Sequence, residues 1–413
     1  MVSSHISLVT SESYKPDWLD RSLKTVLILL IASCMFDPAD KLLSLKVPFF
    51  ILAWMLFMLG VIVRKGMVYV SLRATIYLVL FVFVIPLTSI FYYLVINGDT
   101  NYFDGYLYFK PYLFLTIVPI LYSSKIDILK PTIMQINILS FATLALLAIG
   151  FFNVSLFTYF VEIGSDNDIT RIGTRNFGDT YFPMVYFESS PLIVFAIGYF
   201  AKMFNNSKGS KRILIGGLLL INMIAMFVGA TRNNMIISIL APLVILYWYA
   251  KRKTLIVMIA FVFLAWLVIS NFSIIQSMFD SKENSNELKL SFLGEYLRLF
   301  SNWDILLFGQ GLGSYFNSST RGYVSNSELT YLELIRRFGA ILSIFIFSML
   351  LYPLSKLRLK RFHNEHYLFL SYFFYLIMSF SNPLLLSSTG MLLLSLVLVK
   401  TFSPVPTFKN SIK

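Results

Sequence analysis

Long apolar runs separated by short polar connectors dominate the chain. They cover residues 23–36, 45–63, 74–96, 106–122, 133–152, 183–204, 213–230, 235–250, 255–270, 338–354, 367–381 and a closing run near 390–402. Crossing a hydrocarbon core of ~30 Å takes about 20 helical residues. The pattern therefore predicts an all-α integral membrane protein of about twelve transmembrane helices, one polytopic domain over residues 1–413. Two polar stretches break the rhythm. Residues 153–182 are predicted to form a first long outer loop, and residues 271–337 a large, late one.

Composition agrees with that class. Hydrophobic residues make up 57% of the chain and charged residues 13%, with a mean hydropathy of +0.74. A soluble domain averages about a quarter charged residues, so most of this surface is expected to meet lipid. The net charge of +13 is spread over short clusters rather than gathered in one patch, which argues against a nucleic-acid partner.

Those clusters set a direction. Arg64, Lys65 and Arg73, then Lys125 and Lys130, then Lys202, Lys208, Lys211 and Arg212 occupy every second connector. Lys251-Arg252-Lys253 and the group Lys356, Arg358, Lys360 and Arg361 continue the alternation. By the positive-inside bias these connectors are cytoplasmic. Lys15, Arg21 and Lys24 at one end, and Lys400, Lys409 and Lys413 at the other, place both termini on the same side. No short apolar core followed by a small-residue cleavage site opens the chain, so a removable signal peptide is not expected.

The opposite, outer side then carries Arg171, Arg175, Arg232, Arg298, Arg321, Arg336 and Arg337, where the bias predicts few. Pairing explains some of them, since Glu162, Asp166, Asp168 and Asp179 lie near Arg171 and Arg175. Arg232 differs. It sits in the short turn Gly229-Ala230-Thr231-Arg232-Asn233-Asn234 with no acidic neighbour. A guanidinium is a planar fork that stays charged and matches phosphate oxygens in pairs. Several converging beside a lipid phase would suit a lipid-linked diphosphate.

The late polar interval holds the tightest glycine punctuation, Gly309-Gln310-Gly311-Leu312-Gly313. Without a βαβ context this is no dinucleotide fingerprint. The glycines either bring backbone N–H groups close to an oxygen-rich ligand or simply turn the chain back to the membrane. A transfer to a hydroxyl also needs a base. Glu328 and Glu188 are the leading candidates, with Glu295 and Asp304 behind them. Glu328 would alternatively belong to a helix cap with Ser325 or Ser327. A carboxylate at the depth of Glu188 is either matched by an arginine or functional. The single cysteine, Cys34, excludes an intrachain disulfide and a cysteine metal cluster. No histidine accompanies the polar interval, and no metal or cofactor is expected.

Taken in order, these features resemble the bacterial O-antigen polymerase and ligase superfamily. Arg175-Asn176-Phe177-Gly178 precedes Tyr186-Phe187-Glu188-Ser189-Ser190-Pro191, and Gly229-Ala230-Thr231-Arg232 is similar to the family's Ser/Thr-Arg turn. Arg298 with Leu307-Phe308-Gly309-Gln310-Gly311-Leu312-Gly313 resembles the segment of its large outer loop. Residues 326–334, Phe338-Gly339-Ala340, and Asn382-Pro383 with Ser388-Thr389-Gly390-Met391 complete the order. Each motif is loose alone; their sequence and sidedness are more specific.

The resemblance implies a metal-independent glycosyltransferase in the bacterial inner membrane. It would take undecaprenyl-diphosphate-linked oligosaccharides as substrate and polymerise repeat units of O-antigen, capsule or exopolysaccharide at the outer face. Arg175 and Arg232 would hold the donor diphosphate, helped by Arg298 or Arg321, with Gly309, Gly311 and Gly313 in the same binding wall. A chain-length regulator and a flippase are the protein partners such a role implies. Ligases of this superfamily carry a histidine before the helix that follows the large loop. Here Ser325-Asn326-Ser327-Glu328 stands instead, which favours a polymerase. The alternatives are an O-antigen ligase and, from another class, a lipid-linked oligosaccharide flippase. Transporters tend to place polar breaks near the midplane and to show paired halves; here charge gathers at one face and no repeat is visible.

Overall fold

A computed structural model describes residues 18–64, 68, 70–97, 102–177, 180–251, 253–278 and 284–403. Lys15, Lys65, Gly178, Asp179, Arg252, Lys409 and Lys413 lie outside the described residues. The chain opens with α1 (Trp18–Phe36) and α2 (Lys46–Val63), then α3 (Leu72–Leu78), which runs through a π-helical turn into α4 (Ile85–Asn97). Next come α5 (Tyr102–Leu113), α6 (Ile117–Ser124), α7 (Leu129–Phe152) and α8 (Val154–Asp166). A hairpin of β1 (Thr170–Phe177) and β2 (Thr180–Phe187) follows, and then α9 (Ile193–Asn206), α10 (Gly209–Val228), α11 (Arg232–Tyr249) and α12 (Lys253–Ser270). The late interval contributes α13 (Phe272–Met278), α14 (Asn284–Phe300), α15 (Trp303–Phe308), and a second hairpin of β3 (Phe316–Ser318) and β4 (Gly322–Val324). The chain ends with α16 (Thr330–Leu351), α17 (His366–Met378) and α18 (Ser388–Phe402).

Among the described residues, five helical stretches are long and apolar enough to cross a membrane: Lys46–Val63, Leu72–Ile96, Leu129–Phe152, Gly209–Val228 and Thr330–Arg358. Only 22–33% of each apolar window is buried inside the protein, so the remaining faces need lipid rather than water. The protein is a multi-pass helical membrane protein. α17 and α18 are covered along almost their whole length and form its centre. α11 and α17 run antiparallel. Trp248 Nε1 donates to His366 Nδ1 at 2.7 Å at one end, and Asn233 Nδ2 donates to Ser381 Oγ at 2.8 Å at the other.

Two segments differ from the expectation of plain helices and loops. The apolar run 183–204 is not one helix, because residues 183–187 lie in β2 and the helix starts only at Ile193. Thr170, Ile172, Thr174 and Phe177 in the first segment, and Thr180, Tyr181, Phe182, Val185, Tyr186 and Phe187 in the second, are residues that suit a pleated strand. They pair antiparallel in register from Thr170↔Phe187 to Phe177↔Thr180. The interval 271–337, expected as a large outer loop, carries α13, α14, α15, the second hairpin and the first turns of α16.

The glycine run of that interval closes on the helix that follows it. α16 breaks at Gly339, where φ is +71°. A Cβ there would sit 2.2 Å from the Leu307 carbonyl oxygen, and one on Gly309 (φ +81°) would sit 2.5 Å from the Gly339 nitrogen. The two backbones touch because neither residue has a side chain. Gln310 N and Gly311 N donate to the carbonyls of Arg336 and Arg337 at 2.6 and 3.1 Å. Gly339→Ala is therefore expected to destabilise the protein by about 1–3 kcal/mol from the backbone conformation alone, with the steric clash in addition. A thermal-unfolding series in detergent reads it, and an unchanged midpoint would contradict the contact.

Beneath the run lies a buried ion cluster. Glu333 meets Arg336 at 2.6 Å and Arg337 at 2.5 Å, and these side chains are 0%, 0% and 4% exposed. Arg336 Nη1 reaches Gln310 Oε1 and Ser314 Oγ at 2.9 and 2.8 Å, while both arginines donate to the Ser325 carbonyl. Tyr296 of α14 donates to Glu333 Oε2 at 2.6 Å. The cluster ties α14, the glycine run and the segment before α16 into one unit.

Candidate functional site

At the end of the bundle where α11 begins and α17 ends, a cleft of about 920 Å³ opens. Its walls come from the first hairpin, the start of α11, the start of α14, the β3–β4 turn, residues 326–329 and residues 378–383. Arg175, Arg232, Arg321, Glu188 and Glu328 all line it, brought together from positions between 175 and 328 of the chain.

The start of α11 supplies the clearest local cause. Ala230 takes a left-handed conformation (φ +48°), and Thr231 then caps the helix by accepting from Asn234 N at 3.2 Å. Arg232 becomes the first helical residue and reaches across to Asn286 of α14. Arg175 arrives from β1, donates to the Ala230 carbonyl at 3.3 Å, and lies over the Phe177 ring with its Cζ 5.3 Å from the centroid. Two guanidiniums from separate elements are thus anchored to the same turn.

Glu188 follows β2 directly, held by its own N–H to the Ile169 carbonyl at 3.0 Å. Its carboxylate meets Arg171 Nε at 2.6 Å, and its side chain is 22% exposed. Burial raises its pKa above the usual carboxylate range, and the Arg171 charge offsets part of that rise. Burial would lower the pKa of Arg171, but Glu188, Tyr186 and Glu328 together more than offset it and the net shift is upward. Across the cleft Arg321 lies 3.5 Å from Glu328, with side chains 46% and 27% exposed. A half-exposed pair at that distance holds its partners weakly, so a ligand group can replace either one. Asn382 Nδ2 donates to the Tyr186 hydroxyl and closes the far wall. In all, five basic side chains (Arg171, Arg175, Arg232, Lys289 and Arg321) face two carboxylates, an excess that favours an anionic guest.

The chain matches no family model, no curated protein and no solved structure. The cleft has to be read from its own chemistry.

The remaining expected site residues lie elsewhere. Arg298 is exposed in the last turn of α14 and is absent from the cleft walls. Gly309, Gly311 and Gly313 also lie outside it. The N–H groups of Gln310 and Gly311 already bond the Arg336 and Arg337 carbonyls, and Leu312 N bonds Ser89 Oγ at 2.9 Å. These three N–H groups are spent inside the protein, and that part of the run serves as scaffold. Glu295 is buried and accepts from Ser319 N and Oγ at 2.6 and 2.7 Å, which pins the second hairpin. Asp304 is exposed in the first turn of α15. The cap position of α16 is Leu329, with no side-chain cap hydrogen bond, so the expected cap by Glu328, Ser325 or Ser327 is not formed.

Sequence reasoning passed over Asn286 and Lys289, because α14 reads as a polar loop. It set Arg171 among the local acids, yet its partner is Glu188, while Asp168 pairs with Lys41. The usable signal was the cost of an unmatched carboxylate at position 188.

Proposed function

We propose that the protein transfers a glycan from a polyprenyl-diphosphate carrier to a hydroxyl of an acceptor glycan. Its role would be a repeat-unit polymerase for O-antigen or a related surface polysaccharide, in a bacterial inner membrane crossed about twelve times. The observation that carries the reading is the meeting of Arg175, Arg232, Arg321 and Lys289 with Glu188 and Glu328 in one cleft of a lipid-facing bundle. Glu188 takes the proton of the acceptor hydroxyl as its oxygen attacks the anomeric carbon. The bond from that carbon to the diphosphate breaks, and the electron pair leaves on the diphosphate. The guanidiniums stabilise the charge that develops there. Glu328, loosely held by Arg321, is the second candidate for the base.

Deletion separates this role from its rivals. Loss of a polymerase leaves single repeat units on the surface glycan. Loss of a ligase leaves long chains on the carrier, and loss of a flippase traps single units inside; either result overturns the proposal.

The base assignment has its own test. A base must be ionised to work, so activity falls as pH drops through the raised pKa of Glu188. Arg171 favours the ionised form; Arg171→Gln raises that pKa further and moves the acidic limb of the pH–rate profile to higher pH. Glu188→Gln removes the limb along with most of the activity. A limb that stays in place in Arg171→Gln assigns the base to Glu328 instead.

A further inference from the structure

α8 follows the membrane-crossing helix α7 after a single bend at Asn153, whose side chain caps the new helix by accepting from Leu156 N at 3.0 Å. At ~100° per residue, Ser155, Thr158, Glu162, Ser165 and Asp166 of α8 fall in one narrow arc. Every remaining side chain on the helix is apolar or aromatic. The body of the protein covers only one side of that wide apolar arc. Gly164 is buried against Thr170 of β1, and Phe157 packs on Gly150 of α7. The other side stays open, with Leu156 41%, Tyr159 57% and Phe160 38% exposed. It continues from Phe151 and Phe152 at the end of α7, which are 75% and 90% exposed, and from Ile138 further down the same helix at 54%.

We propose that α8 lies in the plane of the membrane surface, with Leu156, Tyr159 and Phe160 among the upper acyl chains and its polar arc in the headgroup layer. A helix with cleanly segregated faces, a bend at the end of a crossing, and an uncovered apolar side continuous with lipid-facing side chains meets the requirements for an interfacial element. The occupant is lipid because the open side begins one bend beyond Phe151 and Phe152, exposed apolar residues at the end of the membrane-crossing α7, with Val154 at 71% exposure between them and the rest of α8. The placement has a structural consequence. Ile169 N bonds the Gly164 carbonyl at 2.8 Å, and a Cβ on Gly164 would fall 1.9 Å from Thr170 Oγ1. The hairpin that carries Arg171 and Arg175 is therefore built directly on α8 and held at headgroup height.

Spin labels on the full chain in phosphatidylcholine vesicles test this. Single cysteines are placed by Leu156→Cys, Phe160→Cys, Thr158→Cys and, on α7, Ile138→Cys, all with Cys34→Ser. Each is read by collision with oxygen and with a water-soluble nickel chelate. Positions 156 and 160 are expected to show an oxygen-to-nickel ratio about threefold or more above that of position 158, yet shallower than position 138. Equal nickel access at 158 and 160 would put the apolar arc in water and overturn the proposal. Shielding of 156 and 160 from both reagents would mean that a partner protein or a second copy covers them, and depth equal to position 138 would make α8 part of a crossing. Positions 156 and 160 report independently, and the signal at position 138 shows that the protein has inserted.

Discussion

Arg232→Lys is expected to lower chain extension by about 100-fold, the loss typical when one preorganised donor to a developing anion is removed, while the protein still accumulates in the membrane. The substitution keeps the charge and changes its shape. The Arg232 guanidinium lines the cleft as a rigid planar fork that donates to Asn286, whereas an ammonium is a compact point charge on a flexible stem. The helix start does not depend on the side chain, because Thr231 provides the cap and position 232 is simply its first turn. Insertion and the α11–α17 packing should therefore survive. Transfer from a lipid-linked donor in isolated membranes, normalised to protein level, gives the measurement, with Arg298→Lys as the comparison. Arg298 is exposed outside the cleft, so that variant should stay within about twofold of the parent, the range of an ordinary surface change. Activity near the parent level in Arg232→Lys would remove the diphosphate role from this residue.

The comparison of Arg232 with Arg298 also shows what the sequence could and could not convey. Arg232 stood out because a short turn with no acidic neighbour left it little to do locally, and the turn does open into the cleft. Arg298 reads as a helper because it flanks the glycine run, but sequence proximity carries no information about which face of α14 it occupies. The glycines were legible as punctuation. Their contact was not, since it depends on a second glycine, Gly339, hidden inside an apolar helix where glycine is ordinarily tolerated without special purpose. The apolar runs gave the membrane class directly, and five helices long and apolar enough to cross a membrane stand among the described residues. The first hairpin was obscured because residues 183–187 are apolar enough to read as the start of the helix behind them. A short apolar run does not distinguish strand from buried helix by its period alone. The meeting of Glu188 with Arg171 was half visible. A carboxylate so placed demanded a cation, although the choice of Arg171 over Arg175 needed the register of the hairpin.

The largest effect on stability is expected from Glu333→Gln, at about 3–5 kcal/mol, the range for breaking a buried ion pair by removing one partner. That is a sizeable share of the 5–15 kcal/mol by which a folded protein is usually stable. Glu333 is the carboxylate that both Arg336 and Arg337 face, at 2.6 and 2.5 Å, and none of the three side chains is more than 4% exposed. An amide of the same shape can keep some of the hydrogen bonds but cannot balance two guanidiniums out of water. The damage should spread in a defined direction. Arg336 and Arg337 both bond the Ser325 carbonyl, and Asn326 to Leu329, which follow it, form one wall of the cleft. Activity should therefore fall with stability, and the fraction of monodisperse protein after detergent extraction should fall with the unfolding midpoint. Glu328→Gln provides the contrast. Its partner Arg321 lies 3.5 Å away and is 46% exposed, and a pair of that kind contributes about 0–1 kcal/mol. Loss of activity in Glu328→Gln with an unchanged midpoint would mark a role in the cleft. Loss of both in Glu333→Gln would mark the support beneath it. An unchanged midpoint in Glu333→Gln would mean that the two arginines are balanced by the surrounding carbonyls alone, and the ion cluster would no longer explain why the long interval keeps its shape.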